Sequence, residues 1–169
     1  MKFEIVEIEE LSGSHGRIYS IILGDDDCTV FDKFITANIR NHPKEVKEIY
    51  GTLKAMGQKT GIRDHFFKEN EGHLGDGVCA LYDSEESNLR LYCVKYGKIA
   101  VLLGGGGVKS KKIKAWQEDV TLSENAELMI SISETLTQAI KDKELILTSN
   151  GDFKGELIYE NDENSPESI

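Results

Sequence analysis

The stretch that decides the fold is residues 77–116, GVCALYDSEESNLRLYCVKYGKIAVLLGGGGVKSKKIKAW. It contains three apolar runs, rich in β-branched and aromatic residues, that are separated by the short polar segments 83–87 and 97–98. Strands joined by such short turns pair antiparallel. The third run, residues 99–103, is apolar throughout, as is typical of a strand buried on both faces. The stretch therefore predicts a three-stranded meander over residues 77–103, with its last strand central.

The same stretch is unusual in its charge. Residues 88–116 contain no Asp or Glu, although the 169-residue chain has 30 acids and 20 bases. Residues 117–169, in contrast, carry thirteen acids and three bases. Concentrated positive charge in a protein of net charge −10 is costly unless it meets an anion. This basic window therefore predicts an anion-handling site, with RNA or another phosphate as the first candidate ligand. Its seven bases are Arg90, Lys95, Lys98, Lys109, Lys111, Lys112 and Lys114.

The residues before the meander predict strands followed by a pair of helices. Residues 2–9 alternate weakly, as an edge strand does, and residues 17–23 (RIYSIIL) are a stronger strand. Apolar residues then recur at helical spacing through about residues 29–40 and again from Pro43 to Met56. Proline suits the first position of a helix. The three acids Asp25, Asp26 and Asp27 are interpreted as the N-terminal cap of the first helix, rather than as a metal site.

The residues after the meander predict a long helix and a hairpin. The helix spans about residues 122–141, and Thr121 with Glu124 has the spacing of a capping box. A β-hairpin follows around Asn150-Gly151, and the composition of residues 160–169 predicts a disordered acidic tail. The predicted fold is α+β, a single domain over residues 1–159. Its small antiparallel sheet, the meander plus extra strands, would pack on one face against the N-terminal helical hairpin and the C-terminal helix.

The composition also narrows the cellular setting. Cys28, Cys79 and Cys93 are odd in number, lack a CxxC pair and have apolar neighbours, which favours buried reduced thiols and a cytoplasmic location. The acidic N-terminus does not resemble a signal peptide. No apolar run approaches the roughly 20 residues needed to cross a bilayer, so no membrane contact is expected.

Residues 77–116 resemble the core of the RelE/ParE superfamily of bacterial toxins, especially its HigB-like branch. The likeness extends over about residues 29–116 when the helical hairpin is included, within a core of about residues 17–142. The resemblance implies a small protein that binds RNA or the ribosome, cleaves mRNA in many members and is silenced by an antitoxin. The matching segments are Leu89–Tyr92, Tyr96–Lys98, Ile99–Leu103 and Val108–Lys112.

The resemblance also implies roles for single residues. Arg90 matches the arginine of the second meander strand, and the phosphate-binding lysines fall on Lys68, Lys109, Lys111 and Lys112. Tyr82 stands where the family often has an arginine, and four glycines stand where a histidine or an aromatic residue often lies. The chain is also acidic, whereas such toxins are usually basic. These departures favour an alternative, a catalytically inactive interaction protein on the same scaffold.

Metal-free RNA cleavage requires that the 2′-hydroxyl lose a proton, the 5′-oxygen gain one, and the phosphate charge be stabilised. Arginine suits the last role because its planar fork grips phosphate oxygens in pairs. Tyr92, Tyr82 and His73 are the candidate proton carriers, and no metal or cofactor is predicted. Against this chemistry, Arg90 is also consistent with a surface ion pair, and the tyrosines with simple packing.

The glycine run Gly104–Gly107 permits two readings. Backbone N–H groups of Gly105 and Gly106 would approach a phosphate, as in an enzyme for a small phosphorylated ligand. The run lacks the lysine-serine ending of a P-loop, however, and glycines also allow a tight turn or the close approach of another backbone.

The acidic C-terminal segment suggests a regulatory hypothesis, because an internal polyanion would mimic nucleic acid and mask the basic window. The expected partners are RNA or the ribosome, an antitoxin, and a second copy of the chain in a homodimer.

Overall fold

The computed structural model describes residues 1–68, 77–81, 87–109 and 115–160, and for residues 115–119 the backbone alone. A π-helix, Met56–Thr60, continues the second helix, and a 3₁₀ turn covers Asp64–Phe66. The α-helices are α1 (Val30–Asn38), α2 (Pro43–Ala55) and α3 (Ala115–Lys141). The strands are β1 (Lys2–Glu7), β2 (Arg17–Leu23), β3 (Phe67–Lys68), β4 (Val78–Leu81), β5 (Leu89–Tyr96), β6 (Ala100–Val108), β7 (Leu145–Leu147), β8 (Phe153–Gly155) and β9 (Ile158–Glu160).

The main sheet has seven strands in the order β3-β4-β5-β6-β2-β1-β9, and β7 with β8 forms a separate hairpin. Within the main sheet β2 pairs parallel with β6, and the other neighbours pair antiparallel. The prediction of a small antiparallel sheet with an N-terminal helical hairpin is therefore wrong. The chain begins with strands, and the crossover through α1 and α2 brings β2 beside β6 in the parallel sense.

Helices cover both faces of this sheet, so the prediction of helices on one face is also wrong. Along β5, Tyr92 and Val94 belong to the core cluster under α3, whereas Leu91 and Cys93 belong to the cluster under α1 and α2. Successive side chains of a strand point to opposite faces. Since both sets are apolar, each face must be covered, and β6 is central in the sheet as predicted.

The ends of the helices differ from the sequence-based prediction in two details. The side chain of Thr29 accepts a hydrogen bond from the Asp32 N–H (3.0 Å), and Asp32 accepts from the Thr29 N–H (3.2 Å). This capping box, rather than the aspartate run, begins α1. Pro43 is the first residue of α2, as predicted. Helix α3 begins at Ala115, so Thr121 lies inside the helix and caps nothing.

The C-terminal region belongs to the fold. The hairpin of β7 and β8 forms around Asn150-Gly151 as predicted, and Gly151 has a φ of +90° that favours glycine. Strand β9 then pairs with β1, and Glu160, the first residue of the predicted tail, belongs to β9. Residues 161–169 lie outside the described part of the chain. Within that part, no helix is both long and apolar enough to span a bilayer.

Candidate anion-binding surface

Arg90 and Lys109 lie at the same end of the β5–β6 pair. Arg90 is opposite Gly107, Leu89 is opposite Val108, and the Lys109 N–H donates to the Asn88 carbonyl at 2.6 Å. Arg90 and Lys109 are thus diagonal neighbours on one sheet face, about 7–8 Å apart at the backbone. Two cations at that spacing can grip one phosphate, or two successive phosphates of a chain.

This end of the sheet faces α3. A side chain built at Gly107 would contact Thr121 and Leu122 of α3, and Arg90 shares that face because it is directly opposite Gly107. Arg90 is half-buried, and its Nε atom is shielded from solvent. The sheet and α3 therefore hold the stem of the side chain and limit its reach toward a ligand.

Tyr92 shares this face, as the strand parity predicts, but it is only 4 % exposed. It belongs to the core cluster that also contains Met129 and Ile132 of α3. A proton-transfer role for Tyr92 would require α3 to move away from the sheet. In the conformation described, Tyr92 is a packing residue.

Lys68 is exposed on the short edge strand β3. It pairs with Ala80, which in turn pairs with Tyr92, so it lies on the same face as Arg90. The strand spacing and the offset along the strands separate the two residues by about 12 Å at the backbone. Lys68 is therefore well placed to contact a flanking phosphate of a polymer that Arg90 holds.

The glycine run lies inside β6 and does not form a loop after it. Leu91 pairs with Gly106 and Cys93 with Leu103, so a β-bulge interrupts the register between them. A Cβ on Gly105 would lie 2.5 Å from Asn125 Oδ1 of α3, and one on Gly106 would lie 1.8 Å from the Arg90 carbonyl oxygen. The glycines thus let α3 and the β5 backbone approach closely. Phosphate binding by Gly105 and Gly106 stays a prediction, and Gly105 is buried.

Four of the predicted site residues lie outside the described part of the chain. The proton-carrier assignments to Tyr82 and His73 fall there, and so do the phosphate contacts assigned to Lys111 and Lys112. The described part of the site consists of Arg90, Tyr92, Lys68, Lys109 and the two glycines.

The other described bases of the basic window lie elsewhere. Lys95 is five residues beyond Arg90 on β5, about 17 Å along the strand, and it points to the opposite face. There its Nζ lies 2.7 Å from Asp64 and 5.4 Å from the centre of the Phe67 ring. Lys98 is exposed in the turn between β5 and β6. The described bases therefore form two groups at opposite ends of the β5–β6 pair, and they do not converge on one surface.

The described acids of the C-terminal segment do not mask the basic window. Asp152 lies 3.7 Å from Arg17, which also pairs with Glu7 at 3.1 Å. The segment itself is part of the core, because Leu145 and Phe153 are buried beneath the main sheet with Tyr19. As far as residue 160, the segment does not have the form of a detachable clamp.

The surroundings shift the pKa values of several ionisable groups, among them Asp64, Cys93 and Tyr96. A hydrogen bond from Lys95, supported by the charges of Lys95 and Lys98, lowers the pKa of Asp64. Burial raises the pKa of the Cys93 thiol well above its ordinary value and also raises that of the Tyr96 hydroxyl. Cys79 and Cys93 are buried thiols opposite each other on β4 and β5. The Cys93 thiol is not poised as a nucleophile, because the thiolate is the reactive form and burial disfavours it.

Among the residues that the structure describes, no group of three His, Cys, Asp or Glu side chains is placed to hold a metal ion. Comparison with models of known protein families, with curated proteins and with solved structures finds no match to this chain. The RelE/ParE resemblance therefore stays a prediction that rests on the residues quoted for it.

The structure also assembles a group of residues that sequence reasoning missed. One open basin is lined by four basic or titratable side chains from three separate segments of the chain. They are His15, Arg63, His65 and Lys98. Sequence reasoning assigned no role to His15 or His65 and counted Lys98 only as one of the bases of the basic window. No local pattern connects them, because tertiary contacts bring them together.

Proposed function

We propose that this protein is a toxin-like protein of the RelE/ParE type that binds RNA or the ribosome through the surface around Arg90. It would act in the cytoplasm, where its thiols stay reduced, and an antitoxin would control it. The observation that carries the proposal is the diagonal pair of Arg90 and Lys109 on one sheet face. Lys68, on the same face, extends this cationic surface toward the edge strand β3.

The order of elements supports the proposal. The resemblance implied a strand, a helical hairpin, a three-stranded meander and a helix after a basic exit segment. The described chain runs from β2 through α1 and α2 to β4, β5 and β6, and then to α3. Strand β3 extends the sheet beyond β4, β1 and β9 extend it beyond β2, and the β7–β8 hairpin forms a separate two-stranded sheet. Fold likeness alone does not carry an activity, so the functional argument rests on Arg90.

In this proposal Arg90 stabilises the charge that builds on the scissile phosphate, and Lys109 and Lys68 hold flanking phosphates. Such binding weakens steeply with salt, because each phosphate contact releases counterions. Catalysis adds the requirement of proton transfer. Tyr92 meets that requirement only if α3 moves, since it is 4 % exposed beneath the helix.

The first test is growth on expression. We expect the wild-type chain to slow growth, and Arg90→Gln to relieve the effect by removing about 1–3 kcal/mol of charge-assisted phosphate binding. Lys154→Gln is the matched control, because it removes one exposed positive charge from β8, outside the proposed surface. Growth rate and intact mRNA after induction are the measurements. If cells that express the wild-type chain, cells that express Arg90→Gln and cells with an empty vector grew equally well, the toxin proposal would be rejected.

The burial of Tyr92 favours a second candidate, a non-catalytic interaction protein on the same scaffold. This protein would use the Arg90 face to bind an acidic partner, or pair with a second copy through a sheet edge. This second candidate function predicts that the protein binds RNA without cleaving it, or does not bind RNA at all. Incubation of the purified protein with labelled mRNA, alone and together with ribosomes, separates these outcomes. Cleavage in either mixture supports the toxin proposal, and binding without cleavage in both supports the second candidate.

A further inference from the structure

A basin of about 620 Å³ opens at the far end of the β5–β6 pair from Arg90. Its cationic and titratable walls come from the loop after β1, from the residues that follow the π-helix and from the β5–β6 turn. These segments contribute His15, Arg63, Asp64, His65 and Lys98, and Thr60 completes the wall. Such a concentration of basic groups is unexpected in a chain of net charge −10.

Backbone hydrogen bonds hold these segments together. The His15 N–H donates to the Gly57 carbonyl at 3.0 Å, which fixes the first loop on the π-helix. The Ile62 N–H donates to the Lys98 carbonyl at 3.0 Å, which fixes the second segment on the turn. A Cβ on Gly13 would lie 2.4 Å from the Gly57 oxygen, so this contact depends on glycine. The basin is thus held in shape without a ligand, which lowers the entropic cost of binding one.

The basin carries more positive than negative charge. Among the described residues, no carboxylate lies within ion-pairing distance of Arg63 or Lys98. The Arg63 Nε donates to the Thr60 carbonyl at 3.1 Å, which leaves the outer nitrogens of the guanidinium to meet a ligand. Among the described residues of the wall, Asp64 is the one carboxylate, and Lys95 holds it at 2.7 Å. Its negative charge is therefore offset by a cation outside the basin.

We propose that this basin binds a phosphate group, with Arg63 and Lys98 as the primary contacts and His15 and His65 at the rim. A planar guanidinium beside an ammonium matches the several oxygens of a phosphate. The inference does not depend on the proposed function, because it concerns residues at the opposite end of the sheet from Arg90. The phosphate belongs either to a small ligand or to a nucleic-acid backbone.

The test uses the full chain with inorganic phosphate, pyrophosphate and a short single-stranded RNA as probes. Amide chemical shifts are followed by NMR during each titration. We expect the changes to concentrate in residues 13–16, 60–65 and 97–99. A preference for pyrophosphate identifies a small-ligand site, and a preference for RNA that weakens with salt identifies a backbone site. Shift changes spread evenly over the surface, or restricted to the residues around Arg90, would overturn the proposal.

Charge variants sharpen the test. Arg63→Gln with Lys98→Gln should weaken binding about tenfold or more, since both primary contacts are lost. Lys54→Gln with Lys141→Gln removes the same charge from exposed positions outside the basin and should leave affinity nearly unchanged. Asp64→Asn should strengthen binding, because it removes a negative charge from the wall. All of these residues are exposed, so thermal unfolding should confirm intact folding. Equal affinity in the two double variants would show that the basin is not the site.

Discussion

Tyr19 and Tyr96 both pack against Phe153, but their hydroxyl groups differ. The ring centroids lie 4.9 Å and 5.2 Å from that of Phe153. The Tyr19 hydroxyl donates to the Gly151 carbonyl at 3.1 Å and accepts from the Phe153 N–H at 3.2 Å. The buried Tyr96 hydroxyl has no hydrogen-bond partner in the described part of the chain. The two residues therefore form a natural pair for measuring the value of a buried hydroxyl.

We predict that Tyr19→Phe lowers the free energy of unfolding by about 1–3 kcal/mol, because it leaves the Gly151 carbonyl and the Phe153 N–H without their partner. Tyr96→Phe should be neutral or stabilising by up to about 1 kcal/mol, since it removes a buried polar atom that lacks a partner. Urea unfolding of the two variants measures both changes. A larger loss in Tyr96→Phe than in Tyr19→Phe would contradict this account of the two hydroxyls.

At the scale of the element, the glycine run is a feature that local sequence patterns did not predict correctly. An apolar run followed by glycines predicts a strand that ends at the glycines, and the third strand was placed at residues 99–103. The structure continues β6 to Val108 and places the β-bulge within the run. Glycine is unfavourable in a strand unless another group must approach closely. Here α3 and the β5 carbonyls occupy the space that side chains would fill.

A matched pair of substitutions tests this structural role. Gly106→Ala should destabilise the fold by about 2–4 kcal/mol, because the new Cβ would overlap the Arg90 carbonyl. Gly107→Ala should cost about 1 kcal/mol or less, since its Cβ would make an ordinary contact, 3.5 Å from Thr121 Cγ2. Thermal unfolding of both variants is the measurement. Similar stabilities for the two variants would show that the close approach at Gly106 is not a constraint.

At the scale of the whole molecule, the C-terminal hairpin completes the core from the far end of the sequence. Phe153 is 7 % exposed and packs on Tyr19 of β2 and Tyr96 of β5. Tyr159 of β9 stacks on Phe3 of β1, with ring centroids 5.4 Å apart. Strand β9 thus covers the edge of β1 and becomes the outer strand of the sheet, so the fold requires the chain as far as residue 160.

Phe153→Ala should therefore lower the free energy of unfolding by about 3–5 kcal/mol, through lost burial and the cavity that remains. Ile146→Ala, in the same hairpin but 53 % exposed, should change it by less than about 1 kcal/mol. Chemical denaturation followed by far-UV circular dichroism compares the two variants. If the hairpin were a removable clamp, Phe153→Ala would leave the stability of the sheet unchanged.

The sequence by itself determined the local elements. Apolar periodicity and turn residues predict helices α1 and α2, the strands of the meander, the central position of β6 and the hairpin at Asn150-Gly151. These features depend on neighbours a few positions apart, which a local pattern records. The same reasoning placed Arg90 and Tyr92 on one face of a strand, because strand parity is a local property.

Only the tertiary structure decided which strands are neighbours, which faces are covered and where the cations gather. The parallel pairing of β2 with β6 joins residues about 80 positions apart, and α3 buries the face that Tyr92 occupies. The basic window divides because Arg90 and Lys95 differ in strand parity and lie at opposite ends of one strand. His15, Arg63 and Lys98 meet because backbone hydrogen bonds join three distant segments. Such non-local contacts are selected by the free energy of the whole folded chain, and no short stretch of sequence encodes them alone.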